Sequence, residues 1–280
     1  LAAPAAGVVA VVVGVYLAVC GLVSDYHYFR GLRYHEVGHP NRATLAFEEA
    51  IRWRGYDFAY HHMLGLSHFK SGRLAQAEQA LTRSLALHPN NPRALRLLGR
   101  TLFLQGGRAA EAVAALRRST QLAPLEVEGY TWLALAYRQD GQHEQAAETW
   151  KQALASTPDN PGLLVNLGSE YLQAGRASDA VAVLEQAARA HPGDHQILGY
   201  LGAAYLADRR LAEAETTLLR AIELAPDQAE WRLDLAQVYE RQGRVDLALS
   251  QVGQVTGRDP ENGPARQLAA RLAAKAERGR

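Results

Sequence analysis

Residues 163–180 read LLVNLGSEYLQAGRASDA, and the small and aromatic residues of this stretch recur along the chain at a fixed interval. Gly168, Tyr171 and Ala180 each have an identical residue 34 positions later. A period of roughly 20 to 50 residues is typical of chains built from stacked supersecondary units. The sequence is therefore best interpreted in units of this length.

Three further ladders extend the period in both directions from this stretch. A proline recurs at intervals of 35, 34, 34, 34 and 34 residues: Pro89, Pro124, Pro158, Pro192, Pro226 and Pro260. A Leu followed by Gly or Ala recurs as Leu64-Gly65, Leu98-Gly99, Leu133-Ala134, Leu167-Gly168, Leu201-Gly202 and Leu235-Ala236. An alanine recurs as Ala77, Ala112, Ala146, Ala180, Ala214 and Ala248. The small residues predict close helix–helix approach, and the proline predicts where the second helix of each unit ends.

A glycine midway through each unit predicts a left-handed turn between two helices. Two units depart from this pattern. Arg209 stands where one turn glycine is expected, and Gly106-Gly107 adds a residue to another turn.

The ladders resemble those of the tetratricopeptide repeat (TPR) family, whose unit is two antiparallel helices in about 34 residues. The resemblance implies an all-α fold: a right-handed superhelical α-solenoid of about seven TPR units plus a capping helix, preceded by one transmembrane helix. Gly31, Tyr34 and Ala43 extend the ladders into a first, less regular unit. The predicted units are 24–57, 58–91, 92–126, 127–160, 161–194, 195–228 and 229–262, followed by a capping helix and tail at 263–280.

Residues 5–23 read AAGVVAVVVGVYLAVCGLV and carry no charge. A helix of this length spans roughly 28 Å, about the hydrocarbon thickness of a bilayer, and predicts a transmembrane anchor helix at residues 1–23. No Lys or Arg precedes the run, which favours a retained span over a secretory signal. The alternative of a lipoprotein box ending at Cys20 places a bulky Val19 before the cut. Because almost no linker remains, the repeats are expected to stand directly on the bilayer.

Charge is unevenly distributed along a chain whose net charge is +1. Residues 24–126 carry +6, residues 127–262 carry −9 and residues 263–280 carry +4. Such an array can orient itself against a charged surface or against a second copy. The alternative is that the helix faces are solvated unevenly and have no partner.

In the TPR family the first helix of each unit lines a concave groove, and the resemblance implies the same here. Arg93, Arg96 and Arg100 also share one helical face by their spacing. The other candidate groove residues are Phe103, His62, Phe69, Lys70, Thr131, Arg138, Leu172 and Leu206. The early groove is thus expected to be basic with aromatic edges, suited to an acidic segment or a carboxylate. The later groove is more apolar and suits an inserted helix. The alternative is that the arginines only solvate an exposed face.

Six of the ten histidines lie between His27 and His68. His27, His61 and His68 occupy positions that packing aromatics hold in the repeat, so we interpret them as ring substitutes rather than metal ligands. No nucleophile triad, phosphate loop or HExxH motif occurs, which predicts a protein that is not an enzyme and has no cofactor or metal. A pI of about 8.1 and an acidic second half argue against nucleic-acid binding.

These features favour a membrane-anchored scaffold or adaptor that binds proteins, in the assembly or stabilisation of a bacterial envelope complex. It would be a single-pass protein of the bacterial inner (cytoplasmic) membrane. Arg30, Arg33 and Arg42 follow the span, which places the repeats on the cytoplasmic side, with the periplasmic side as the alternative.

Two other functions stay open. The junction at residues 24–38, SDYHYFRGLRYHEVG, resembles the C-terminal tail of O-antigen ligase or polymerase-type membrane proteins. That resemblance implies the regulatory end of a polytopic enzyme. The opposite charges of the two halves suit a self-assembling, filament-forming repeat protein joined by head-to-tail contacts.

Overall fold

The computed structural model describes residues 3–278, with side-chain burial for residues 8–277. These residues form α-helices joined by short turns, and no strand occurs among them. The all-α fold expected from the ladders is confirmed. The chain divides into two compact units, one ending at Asp140 and the other beginning at Gly141.

The first unit contains seven helices: α1 (Ala3–Glu36), α2 (Pro40–Trp53), α3 (Phe58–Lys70), α4 (Leu74–Leu87), α5 (Pro92–Gln105), α6 (Ala109–Leu122) and α7 (Val127–Gln139). Each helix packs against the next in the sequence. The odd-numbered helices also contact one another, α3 with α5 and α5 with α7. The first unit is therefore a stack of helical hairpins with the odd-numbered helices side by side in one layer.

The second unit contains eight helices: α8 (His143–Leu154), α9 (Pro161–Gln173), α10 (Ala177–Ala190), α11 (His195–Ala207), α12 (Leu211–Leu224), α13 (Ala229–Arg241), α14 (Val245–Arg258) and α15 (Gly263–Arg278). The same neighbour packing recurs, and α9, α11, α13 and α15 follow one another in a layer. The last helix, α15, buries Ala265, Leu268 and Leu272. Arg266 is exposed, and Arg271 Nη2 reaches back to donate to Glu240 Oε2 of α13 at 2.7 Å, so the last helix combines a buried apolar face with a charged one.

The glycines of the Leu-Gly ladder mark the closest approach within a hairpin. A Cβ atom added at Gly99 would lie 2.4 Å from Leu116 Cγ, and one added at Gly202 would lie 2.5 Å from Leu218 Cγ. Both leucines are fully buried. The glycine thus opens the space that the large side chain of the paired helix fills, which explains the small residue of the Leu-Gly ladder.

The two turns that depart from the single-glycine pattern, at Gly106-Gly107 and at Arg209, both have residues with positive φ. Gly106 and Gly107 both have positive φ, so the longer turn takes two left-handed residues. Arg209 has φ of 63° and is the only non-glycine residue with positive φ in the part of the chain that the structure describes. It therefore holds a conformation that its neighbouring repeats assign to glycine.

Helix α1 joins the apolar N-terminal run to the first repeat without a break. It is one continuous helix of 34 residues, so no turn separates Val23 from Ser24. Within it, Val8–Glu36 is long and apolar enough to cross a bilayer, with a mean hydropathy of 2.3 over its most apolar stretch. The Ser24 hydroxyl is buried and donates to the Ala50 carbonyl oxygen of α2 at 3.0 Å. The packed part of the first hairpin thus reaches back into the apolar run, where Cys20 is buried four residues before Ser24.

Candidate protein-binding groove

The three predicted arginines lie on α5, in the layer of odd-numbered helices. Arg93 is exposed, whereas Arg96 and Arg100 are partly covered. Arg96 forms an ion pair with Glu126, and its Nε atom lies 3.5 Å from Glu128 Oε2. Arg100 Nη1 donates to Glu128 Oε1 at 2.8 Å. Two of the three guanidinium groups therefore already have carboxylate partners in the next repeat.

The two glutamates stand at the beginning of α7. Glu126 is the N-cap residue of α7 and Glu128 lies in its first turn. The helix dipole stabilises negative charge at this end, so the position favours carboxylates independently of the arginines. The side chains of Glu126 and Glu128 remain 40% and 50% exposed. The arginine side chains are only 18% and 27% exposed, so each pair has a covered guanidinium group and a carboxylate that solvent can reach.

Aromatic rings enclose Arg100 on two sides. Its guanidinium carbon lies 4.6 Å from the centroid of the Trp132 ring and 5.1 Å from that of Phe69. Phe103 contacts Trp132 edge to face, with ring centroids 5.7 Å apart. We call Phe69, Arg96, Arg100, Phe103 and Trp132 the arginine–aromatic cluster. Trp132 was not among the predicted site residues; its place one repeat after the arginines is the sequence signal that could have found it.

His62 lies next to the cluster on α3. Burial lowers the pKa of His62, and the charges of Arg93 and Arg96 lower it further. The imidazole is therefore neutral at neutral pH and adds no positive charge to this surface. Lys70 is exposed at the end of α3 and does add charge.

The remaining predicted residues of the first unit lie on α7. Thr131 directs its hydroxyl back to the Val127 carbonyl oxygen at 3.0 Å, so that donor is used within the helix. Arg138 is partly buried near the end of α7. The structure thus brings His62, Phe69 and the α5 residues together at the cluster, and it does not add a free Thr131 hydroxyl to them.

Leu172 and Leu206 belong to the second unit. Leu172 is partly exposed on α9, as a groove position requires. Leu206 is only 5% exposed, and its carbonyl oxygen accepts a hydrogen bond from Arg241 Nη1 at 2.7 Å. Leu206 is a packing residue of α11 and offers little surface to a partner, because it is covered by its own repeat stack.

Two of the clustered histidines are packed within the first unit. His61 is buried, and its Nε2 lies 2.9 Å from the Gly55 carbonyl oxygen. His68 is buried too, and burial followed by the charge of Arg73 lowers its pKa. Both side chains thus occupy interior positions of the repeat. Within residues 3–278, no three His, Cys, Asp or Glu side chains come together in a group that could hold a metal ion.

Hairpins stacked in this way, with one layer of helices presenting exposed polar and aromatic side chains, define an α-helical repeat protein of the interaction type. A sequence profile of the tetratricopeptide repeat matches residues 62–126, 101–161, 131–195, 165–229 and 201–263. The chain belongs to the tetratricopeptide repeat family. No curated protein matches it.

Solved structures confirm the fold. The C-terminal part of a TPR repeat-containing protein from Cytophaga hutchinsonii is 13% identical, with a TM-score of 0.68 over 86% of this chain and 98% of that one. A thermophilic TPR protein of Thermus thermophilus is 26% identical, with a TM-score of 0.53 over 66% and 100%. A MamA protein is 21% identical, with a TM-score of 0.57 over 60% and 92%. Altogether 421 chains match, so the likeness defines the fold and does not select a function.

Proposed function

We propose that this chain is a membrane-anchored scaffold of the bacterial inner membrane that binds an acidic segment of a partner protein at the arginine–aromatic cluster. The observation that carries the binding site is the pairing of Arg96 and Arg100 with Glu126 and Glu128, whose side chains stay 40% and 50% exposed. These internal carboxylates support the proposal, because an acidic peptide would offer the same groups to the two guanidinium groups. The likeness to solved TPR proteins supports the general role in protein–protein interaction and no particular partner.

The aromatic rings add affinity and selectivity to the charge. Phe69 and Trp132 hold the Arg100 guanidinium from two sides, so it is presented in a fixed orientation. A partner that supplies a carboxylate together with an apolar side chain satisfies both parts of the cluster. Protein interfaces typically place their strongest contacts on such Trp and Arg residues.

Charge reversal of both arginines tests the binding site. Proteins that co-purify with the full chain from native membranes are expected to lose at least one member with Arg96→Glu and Arg100→Glu. The matched control is Arg83→Glu and Arg118→Glu, which reverses two exposed arginines on the even-numbered helices α4 and α6. An identical set of partners for wild type and the groove variant contradicts the proposal.

Neutralising the two glutamates that pair with the arginines is expected to strengthen partner binding. Glu126→Gln and Glu128→Gln leave the arginines without their carboxylate partners, so the partner identified above is expected to bind more tightly, by roughly 2- to 10-fold, the equivalent of about 0.5–1.4 kcal/mol. Isothermal titration with the acidic segment of that partner measures the change. An unchanged or weaker affinity means that the glutamates do not compete for the arginines.

Membrane anchoring by α1 is supported by its length and composition. Alkaline carbonate extraction is expected to leave the chain in the membrane pellet, and release into the supernatant contradicts a span.

Arg30, Arg33 and Arg42 support the cytoplasmic side for the repeats. Protection of the repeats from protease in intact spheroplasts tests that side. The O-antigen ligase resemblance stays a prediction, which the gene sequence upstream of Leu1 tests.

A further inference from the structure

Exposed aromatic side chains are confined to the beginning of the chain. Among the residues whose burial the structure describes, the large aromatic side chains that are exposed are Tyr16, Tyr26, Phe29, Trp53 and Tyr56. The other tryptophans, Trp132, Trp150 and Trp231, are buried or half-buried. Trp and Tyr at a water-exposed surface are costly unless an amphipathic environment receives them, and the interface of a bilayer is such an environment.

The first hairpin brings these residues to the level of the end of the apolar run. Helix α2 runs antiparallel to α1, and the Ser24 hydroxyl bonds the Ala50 carbonyl oxygen near the end of α2. Tyr60, at the start of α3, donates its hydroxyl to Asp25 Oδ1 at 2.6 Å. Trp53, the last residue of α2, and Tyr56, in the turn that follows, therefore lie within about one helical turn of the depth of Ser24, on the side of the apolar run.

Distances along α1 place Tyr26 at the same depth. Tyr26 is three residues beyond Val23, or about 4.5 Å along the helix axis. The headgroup region of a bilayer adds roughly 5–8 Å on each side of the hydrocarbon core. We call Tyr26, Trp53 and Tyr56 the aromatic rim; their side chains are 62%, 44% and 67% exposed.

Charges of both signs lie beside the rim, among them Arg30, whose guanidinium carbon lies 5.7 Å from the centroid of the Tyr26 ring. Arg54 Nε donates to the Tyr56 hydroxyl at 3.2 Å, and its guanidinium carbon lies 5.3 Å from the centroid of that ring. Arg52 Nη1 pairs with Glu49 Oε1 at 2.9 Å. Asp57 accepts the Ala59 amide as the cap of α3. The rim thus offers amphipathic rings more than net positive charge, so zwitterionic lipid is sufficient to receive it.

We propose that the aromatic rim inserts into the headgroup region of the bilayer and seats the first repeat on the lipid surface. The inference rests on the proposed membrane anchoring of α1 and names the surface that meets the lipid around it. In this arrangement, the edge of the first repeat where α2 ends and α3 begins contacts lipid. The opposite edge, which carries Val37, faces water.

Quenching by brominated lipid tests the rim in the full chain, reconstituted into phosphatidylcholine vesicles with bromine near the headgroup end or near the methyl end of the acyl chains. Wild type is expected to lose fluorescence to the shallow bromine. Trp53→Phe, a conservative change at an exposed site, is expected to abolish that loss. Equal quenching of wild type and Trp53→Phe overturns the inference, and so does burial of Trp53 against a second copy, because protein would shield it from lipid.

Two tryptophan substitutions, each made in the Trp53→Phe background, distinguish failure of the aromatic rim from failure of the proposed membrane anchoring by α1. Leu17→Trp reports insertion of the span, and Val37→Trp, just past the end of α1 and about 30 Å from Leu17 along the helix axis, is the matched control at a 65% exposed site. Quenching of Leu17→Trp without quenching at Trp53 overturns the rim and leaves the anchor standing. No quenching of Leu17→Trp overturns both. Quenching of Val37→Trp overturns the rim, since the contact is then not specific to one edge.

Discussion

Arg209 has the φ angle of 63° that glycine holds in the neighbouring turns. A left-handed conformation costs an L-residue roughly 1–2 kcal/mol. Arg209→Gly is therefore expected to raise the free energy of unfolding of the surrounding repeats by about 1 kcal/mol. Thermal and urea unfolding measure the change. The reciprocal Gly175→Arg is expected to lower stability by a similar amount, and a neutral or destabilising Arg209→Gly contradicts the strain.

Asp234 on α13 gives the second unit a pH-dependent stability. Burial, and to a lesser extent the Glu230 carboxylate, raise the pKa of Asp234 to about 7 from its ordinary 3.8. The folded chain then keeps a proton that the unfolded chain has lost. The contribution of protonated Asp234 to the free energy of unfolding is therefore fully present below about pH 4, and it is lost as the pH rises towards 7.

Asp234→Asn is expected to remove that loss. At pH 8 the variant should be more stable than wild type by roughly 1–3 kcal/mol, and at pH 4 the two should be equal. Urea unfolding across this pH range, followed by circular dichroism, measures the difference. If the free energies of unfolding of wild type and Asp234→Asn change in parallel with pH, ionisation of Asp234 does not destabilise the fold and the prediction is wrong.

Individual contacts could be predicted from the sequence only where the backbone dictates them. The turn glycines and Arg209 follow from the period, since the hairpin requires a left-handed residue there. The ion pairs of Arg96 and Arg100 did not follow. They depend on the start of α7 reaching the guanidinium groups across the repeat boundary, and the ladder does not specify that side-chain geometry. The burial of Leu206 was missed for the same reason, because its groove position is filled by neighbouring helices.

At the level of helices, one hairpin depends on Gly99 having no side chain. Gly99→Ala would place a Cβ atom 2.4 Å from Leu116 Cγ, and overpacking costs roughly 1–3 kcal/mol. That loss exceeds the helix propensity of about 1 kcal/mol that alanine adds. We expect faster amide hydrogen exchange in α5 and α6 and a lower unfolding midpoint.

Gly253 is the control for that substitution. It lies inside α14, and an added Cβ would meet no atom within 4 Å. Gly253→Ala is therefore expected to gain roughly 0.5–1 kcal/mol from helix propensity alone. If both substitutions stabilise the chain, Leu116 moves aside and the close approach does not limit packing.

Helix boundaries were largely predictable from the second hairpin onwards, because the proline and turn-glycine ladders mark them; the proline ladder begins only at Pro89. The continuity of α1 was not, since the sequence places the end of an apolar run and the start of a repeat side by side without saying whether the backbone turns between them. The capping role of α15 was visible in its arginine-rich surface. The residues it buries, Ala265, Leu268 and Leu272, follow its helical period.

For the whole molecule, the separation of charge predicts salt-dependent association. Residues 24–126 carry +6 and residues 127–262 carry −9. Copies of the full chain in detergent are expected to sediment as larger species at low ionic strength and to separate at high ionic strength, because screening removes the attraction. A monomer at low ionic strength argues against the head-to-tail filament and leaves the scaffold unaffected.

If α1 spans the bilayer as proposed, its unbroken course gives the first repeat no independent rotation about the bilayer normal. Each residue of a helix turns the chain by about 100° and advances it by about 1.5 Å. One alanine inserted within the apolar run would therefore swing the first repeat through more than a quarter of a circle, whereas a loop would absorb the change. In a membrane-anchored chain, the face that α1 turns to lipid would therefore determine which side of the first repeat faces a neighbouring membrane protein.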